Sequence, residues 1–179
     1  MRQALNSKEF GKILDRITSE FYEENSSVCR ERAQNLGIVG IQTRGVILAQ
    51  RIANNLRKKF KTTSVVGSLD ITLYRDDVGE IGSQPLVKET NIPFEIEGKT
   101  ILLVDDVLFT GRTIRAALDA LLELGRPKLI RLAVAVNREG RELPIQADHV
   151  GLEMEVKSGE KIQLKVKEVD GKDGIWVVK

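Results

Sequence analysis

Two neighbouring carboxylates, Asp105 and Asp106, are the residues of this 179-residue chain whose placement first suggests chemistry. They follow the apolar run Thr100-Ile101-Leu102-Leu103-Val104, which has the make-up of a buried strand, so they sit at its carboxyl end. Ligands of open parallel sheets bind outside that end. Two adjacent carboxylates there can accept hydrogen bonds from vicinal hydroxyls, such as those of a ribose. Val107-Leu108-Phe109 then leads into Thr110-Gly111-Arg112-Thr113. Gly111 permits a tight turn and close approach of a ligand. The threonines supply hydroxyls, and the N–H groups at the start of the next helix attract an anion. A phosphate on this loop, with a sugar reaching back to the acids, spans the segment from Ile101 to Thr113. Either half alone occurs in many α/β proteins; the combined order is far more specific. No Gly-x-x-x-x-Gly-Lys-Ser/Thr string is present, and no Gly-x-Gly-x-x-Gly follows a strand, which argues against a nucleoside triphosphatase and a nicotinamide enzyme.

The elements that must position these residues are legible as periodicities. Phe10, Ile13, Leu14, Ile17 and Phe21 predict an amphipathic helix from Ser7 to about Glu24. Leu36 to Ile41 is a short apolar strand, followed by Thr43-Arg44-Gly45 and a helix marked by Val46, Ala49, Ile52, Ala53, Leu56 and Phe60. Val65 to Tyr74 reads as a strand ending in Arg75-Asp76-Asp77. The stretch from Asp77 to Pro93 has no periodicity and the length of a binding loop or lid. After the strand Thr100–Val104, a helix with the apolar face Ile114, Ala117, Leu118, Leu121 and Leu122 stops near Gly125-Arg126-Pro127, and Leu129 to Val136 is a further strand. Buried strands alternating with amphipathic helices predict an α/β fold with a mostly parallel sheet covered on both faces. Beyond Asp148 the pattern changes: Ile162, Leu164 and Val166 alternate with polar residues ahead of the turn-forming Val169–Ile175, which predicts a C-terminal antiparallel hairpin.

Composition bounds the rest. The balance of 28 basic and 26 acidic residues, formal charge +2, carries no bulk signal for nucleic acid or membrane. Cys29 is the single cysteine, so no intramolecular disulfide can form, as suits a reducing cytoplasm. The first residues lack the apolar core of a signal peptide, and Asn25-Ser26-Ser27 is read as an accidental sequon. His149, the single histidine, lies away from the motif and is assigned a packing or surface role.

At residues 101–113 the chain resembles the type I phosphoribosyltransferases. The further strings Thr43-Arg44-Gly45, Asp70-Ile71-Thr72-Leu73-Tyr74-Arg75-Asp76-Asp77 and Arg141-Glu142-Leu143-Pro144-Ile145 resemble, in this order, the branch that joins uracil phosphoribosyltransferase activity to attenuation of pyrimidine operons. The resemblance covers nearly the whole of residues 1–179 and implies one phosphoribosyltransferase domain. Its hood over the site would come from the N-terminal helix and parts of 137–179. It implies transfer of the phosphoribosyl group of phosphoribosyl pyrophosphate (PRPP) to uracil, giving UMP, with Mg²⁺ arriving on PRPP rather than on a dedicated protein ligand set. By the same resemblance, Asp105 and Asp106 hold the ribose hydroxyls, and Val107, Leu108, Phe109, Thr110, Gly111, Arg112 and Thr113 cradle the 5′-phosphate. Thr43 and Arg44 form the pyrophosphate loop, with Arg44 counted as catalytic beside Asp105 and Asp106. Arg75, Asp76, Asp77 and Lys88 belong to a flexible catalytic loop. A cytoplasmic homodimer or higher oligomer is implied, as is UMP-dependent binding of pyrimidine-operon leader RNA.

The chain departs from that branch where RNA recognition is expected. Asn137 stands for an Asp, Gly140 for a His, Gln146 for an Arg and Leu152 for a Lys. The last three losses each remove a donor or cation, and phosphate contacts dominate nucleic-acid affinity. Arg16, Arg138 and Arg141 remain as RNA-facing candidates. Arg51, Arg57, Lys58, Lys59 and Lys61 are read as compensating a helix dipole and aiding solubility. Three readings stay open: an enzyme that also binds RNA, a nucleotide-sensing RNA-binding regulator with a vestigial site, and a phosphoribosyltransferase without RNA binding. A purine or orotate enzyme fits the Asp70–Asp77 string less well.

Overall fold

The computed structural model describes residues 1–31, 33–76 and 87–179. Five strands form a parallel sheet: β2 (Leu36–Ile41), β3 (Val65–Leu69), β4 (Thr100–Leu108), β5 (Leu129–Arg138) and β6 (His149–Met154), in the spatial order β3-β2-β4-β5-β6. Successive residues of each strand face opposite sides. Ile38, Leu102, Val104, Ala133 and Ala135 meet helices α1 (Ser7–Glu24) and α3 (Arg44–Phe60) in one core. Val39, Ile41, Ile101, Leu103 and Val134 meet α4 (Arg112–Glu123) in the other. This two-sided burial is why β2 and β4 read as continuous apolar runs.

A second sheet is antiparallel, in the order β1-β8-β7: β1 (Arg2–Leu5), β7 (Lys161–Lys165) and β8 (Gly174–Val178). The expected hairpin is β7 and β8, with the short helix α5 (Lys167–Asp170) between them. Arg51 on α3 ion-pairs with Glu168 and Asp173 (2.5 and 2.8 Å), which ties this sheet to the helix that starts at the carboxyl end of β2. The reading of Arg51 as a helix-terminal charge is therefore corrected; it lies within α3 and holds the hairpin.

Other boundaries shift for local reasons. β3 stops at Leu69, because the Asp70 carboxylate accepts from the Thr72 N–H and hydroxyl (3.1 and 2.6 Å) and turns the chain into a 3₁₀ helix, Thr72–Tyr74. β4 runs on through Asp105 to Leu108, held by pairing with β5 up to Leu108–Asn137. Elements without a counterpart in the sequence reading include β1, β6 and the six-residue helix α2 (Ser26–Glu31). His149 opens β6, buried, with its ring edge-on to Phe21. Cys29 is also buried, and burial pushes its thiol up to about 11, so it is a neutral core group at pH 7. Among the described residues no helix is long and apolar enough to cross a membrane.

α1 begins at a reciprocal cap. Asn6 Oδ1 accepts from the N–H groups of Lys8 and Glu9 (3.0 and 3.1 Å), and Glu9 Oε2 accepts from the Asn6 N–H (2.9 Å). Replacing Asn6 with Ala removes two of these bonds at the junction of β1 and α1. The expected loss is about 1 kcal/mol of unfolding free energy, measured as a lower denaturant midpoint at unchanged slope.

Candidate active site

The carboxyl ends of β2, β3 and β4 lie side by side, and each delivers one part of the site. Asp105 is 5% exposed and Asp106 half-buried at the end of β4. Asp105 Oδ1 accepts from the Asp106 N–H, and Asp106 Oδ1 from the Val107 N–H, both at 2.9 Å. Each carboxylate keeps a second oxygen outside these two bonds. Beyond Leu108 the chain turns through Thr110 and Gly111, whose φ of +94° suits glycine. α4 starts at once, with Thr110 Oγ1 accepting from the Arg112 N–H (3.3 Å). The N–H groups of Glu142 and Leu143 donate to the Thr110 carbonyl (3.0 and 3.1 Å), so the segment after β5 roofs this loop. A Cβ on Gly111 would lie 3.3 Å from that of Leu143.

At β2 the peptide between Gln42 and Thr43 is cis. The Gln42 N–H donates to the Leu69 carbonyl of β3 (2.9 Å), and α3 begins at Arg44. Gly45 lets this helix start touch β4: a Cβ there would sit 2.6 Å from the Val104 carbonyl oxygen and 3.3 Å from Asp105 Cα. Thr43, Arg44 and the acid pair are therefore one site. Lys88 Nζ donates a short hydrogen bond to Thr43 Oγ1, which brings the lysine expected on the flexible loop to the same place. Arg44 departs from expectation in the direction of its side chain. Its guanidinium forms a two-bond ion pair with Asp170 of α5 (3.1 and 2.7 Å). That bond holds the Asp170 carboxyl below its ordinary range.

Of the remaining expected site residues, Arg112 joins Asp76 (2.5 Å) to Glu142 (2.7 Å) across the phosphate loop. Arg75 is described and exposed, and Asp77 lies outside the described residues. The three candidate RNA-facing arginines are all engaged. Arg16 donates to the Val150 and Gly151 carbonyls of β6, Arg138 stacks 4.0 Å from the Phe109 ring centre, and Arg141 donates to Asn137 Oδ1 (2.5 Å). A Cβ at Gly140 would fall 2.5 Å from the Phe109 ring, and Leu152 packs against the α1–α3 core. Beside the phosphate loop opens a cleft of about 490 Å³ lined by Asn137, Arg141, Ile145, Val150 and Glu153. Asp70, Glu142 and Asp170 were not singled out for any role of their own in the sequence. Each acts on a partner 18 to 126 positions away, a separation that local spacing does not encode.

Burial pushes the Asp105 carboxyl well above its ordinary range, and the neighbouring Asp106 charge adds to this. Asp106 is also raised by burial, against the opposing pull of the Val107 N–H and the Arg44 guanidinium. For a carboxyl raised in the folded state, the charge penalty is absent below the unfolded value of about 3.9, grows as pH rises above it, and is complete above the folded one. The Asp105→Asn, Asp106→Asn double variant is therefore expected to melt above wild type at pH 8, by a few degrees if it releases 1–2 kcal/mol (about 2–4 °C per kcal/mol). Differential scanning calorimetry from pH 8 to pH 4 should show that advantage shrinking. An advantage that grew toward pH 4 would contradict the buried-charge account.

Comparison with known proteins agrees with this geometry. The family model for the phosphoribosyl transferase domain matches residues 3–168. The bifunctional protein PyrR of Thermus aquaticus is 51% identical over 173 residues, 97% of this chain and 93% of that protein. The bifunctional protein PyrR of Deinococcus radiodurans is 48% identical over 169 residues, 94% and 90%. Among solved structures, a hypoxanthine phosphoribosyltransferase from Trypanosoma cruzi superposes with a TM-score of 0.78 over 100% of this chain and 95% of its own, at 16% identity. That last likeness shows the fold, a type I phosphoribosyltransferase sheet with a second antiparallel one. With relatives near half identity along almost its full length and the domain model laid over both loops and the acid pair, the chain belongs to the phosphoribosyltransferases, in the bifunctional PyrR family.

Proposed function

We propose that the chain makes UMP and pyrophosphate from uracil and PRPP, as a cytoplasmic homo-oligomer, and that the nucleotide state of this site governs binding to pyrimidine-operon leader RNA. The observation that carries the enzymatic reading is the contact of Gly45 with the Val104 carbonyl. It sets the Thr43–Arg44 turn directly against Asp105 and Asp106. Asp105 and Asp106 accept hydrogen bonds from the ribose 2′ and 3′ hydroxyls. The segment Val107–Thr113, with the first amides of α4, takes the 5′-phosphate. Thr43, the amides at the start of α3 and the Lys88 ammonium face the pyrophosphate.

Uracil N1 forms the bond to C1′ as the bond from C1′ to the pyrophosphate oxygen breaks; pyrophosphate leaves with that electron pair, and the N1 proton passes to solvent. Positive charge on the ribose and negative charge on the leaving group both rise in the transition state, so fixed charges and dipoles aimed at them lower the barrier. The two acids are assigned to the ribose side, and the Lys88 ammonium with the first amides of α3 to the pyrophosphate side. Among the described residues no group of three or more His, Cys, Asp or Glu side chains is placed to hold an ion. Magnesium would arrive as a complex with PRPP, where it would neutralise phosphate charge. We assign the hood over the base to the N-terminal helix and parts of 137–179; the segment from Asn137 to Gln146 supports this, because it lines the cleft and Asn137 pairs with Leu108.

A second reading, a phosphoribosyltransferase without RNA binding, is favoured by one group of observations. Arg16 and Arg141 are bonded within the protein, Gly140 is closed off by Phe109, and Leu152 packs, partly buried, against the α1–α3 core. Two experiments separate the readings. Pyrophosphate release from PRPP with uracil should fall by roughly 10²-fold or more in the Asp105→Asn, Asp106→Asn variant; wild-type-like turnover would sink the enzymatic assignment. A gel-shift with the organism's own pyrimidine-operon leader should show tight, UMP-enhanced and salt-sensitive binding. Equal, weak retention with and without UMP would select the second reading.

A further inference from the structure

Asp70 opens the string Asp70–Asp77, yet the proposed chemistry leaves it without a task. We infer that Asp70 is a positioning residue that sets the Lys88 ammonium onto the pyrophosphate loop; this rests on the phosphoribosyltransferase reading above.

The geometry is built from both directions. Asp70 directly follows β3, whose last residue, Leu69, pairs with Ile41 and accepts from the Gln42 N–H (2.9 Å). The residue after β3 therefore lies beside the loop that follows β2. Asp70 is 9% exposed. Its carboxylate accepts three hydrogen bonds with a division of labour. Oδ1 takes the Thr72 N–H and hydroxyl (3.1 and 2.6 Å), and Oδ2 takes the Lys88 N–H (2.6 Å). Its own N–H donates to Thr90 Oγ1 (3.0 Å). Two residues earlier on β3, Ser68 exchanges both backbone hydrogen bonds with Asn91 (2.8 and 2.9 Å). The chain from Lys88 to Asn91 is thus laid along the end of β3 by main-chain and side-chain bonds. Lys88 then reaches across to Thr43 Oγ1.

A lysine is a point charge on a four-carbon stem and loses much rotamer entropy when it is fixed. Anchoring its backbone at hydrogen-bond distance from the neighbouring strand removes most of the remaining freedom before the anion arrives, which is preorganisation. Hydrogen bonds to an ionised acceptor are the stronger kind, so a buried carboxylate suits this anchor. An amide does not. All three donors aim at oxygen, so Asn in place of Asp70 keeps the Thr72 pair only by presenting its NH₂ to the Lys88 N–H. Asp70→Asn should therefore release Lys88 and leave the 3₁₀ turn in place.

The test is a double-mutant cycle read by titration calorimetry with magnesium pyrophosphate, which needs no acceptor base. Wild type, Asp70→Asn, Lys88→Ala and the double variant are compared. Asp70→Asn should weaken binding about tenfold, Lys88→Ala at least as much, and the double variant no further than Lys88→Ala. The Lys88 N–H survives in Lys88→Ala, so the drop in denaturant midpoint caused by Asp70→Asn should be the same in both backgrounds. A merely structural Asp70 would show equal weakening of pyrophosphate binding in both backgrounds, which would overturn the inference. Unchanged binding in Asp70→Asn or in Lys88→Ala would overturn it as well. Pyrophosphate bound by wild type without UMP formation from uracil would remove the acceptor assignment and leave the positioning role standing. No binding by wild type would remove both.

Discussion

Two adjacent carboxylates held on a buried strand end are the arrangement on which the rest of the molecule depends. Burial raises both carboxyls, and the Asp106 charge raises Asp105 further. The fold tolerates them because β4 continues its pairing with β5 past Asp105, while each carboxylate is bonded to the next N–H along the chain. The Arg44 guanidinium adds an opposing charge for Asp106, although its hydrogen bonds go to Asp170. The structure thus stores unfavourable electrostatics at the point where a sugar's hydroxyls can relieve it. Such a site trades stability for function.

The scaffold meets that constraint by bringing three loops to one edge. Gly45 closes the distance between α3 and β4, Gly111 turns the phosphate loop into α4, and Asp70 arranges the chain after β3. The second sheet is held to the same edge by Arg44 and Arg51, whose partners all lie between Glu168 and Asp173. Arg44 therefore works at two levels: its backbone begins α3 beside the acid pair, and its side chain anchors the hairpin.

The part of the site legible in the sequence is the part that is contiguous. Ile101 to Thr113 carries strand, acids, turn and helix start in thirteen successive positions, so the spacing encodes the geometry. The central strands β2 and β4 were equally legible, because burial on both faces leaves an unbroken apolar run. β6 was not: it is an edge strand that opens with a histidine and contains Gly151, where a Cβ would lie 2.5 Å from the Ala135 carbonyl oxygen. β1 has four residues and pairs with β8 at the far end of the chain. The placement of Arg44 on Asp170 and of Lys88 on Asp70 depends on tertiary partners, and no local period announces them. The substitutions at Gly140 and Leu152 change meaning once their neighbours are seen: the first sits against Phe109, the second, partly buried, against the core.

In the proposed reaction ribose-5-phosphate lies between the acid pair and the 110–113 loop. A crystal structure of the chain with magnesium and PRPP tests it most directly. The 5′-phosphate is expected within hydrogen-bond distance of the amides from Gly111 to Thr113, with the ribose hydroxyls on Asp105 and Asp106 and the pyrophosphate facing Thr43 and Lys88. A phosphoribosyl group bound elsewhere, with the two carboxylates unliganded, would contradict it.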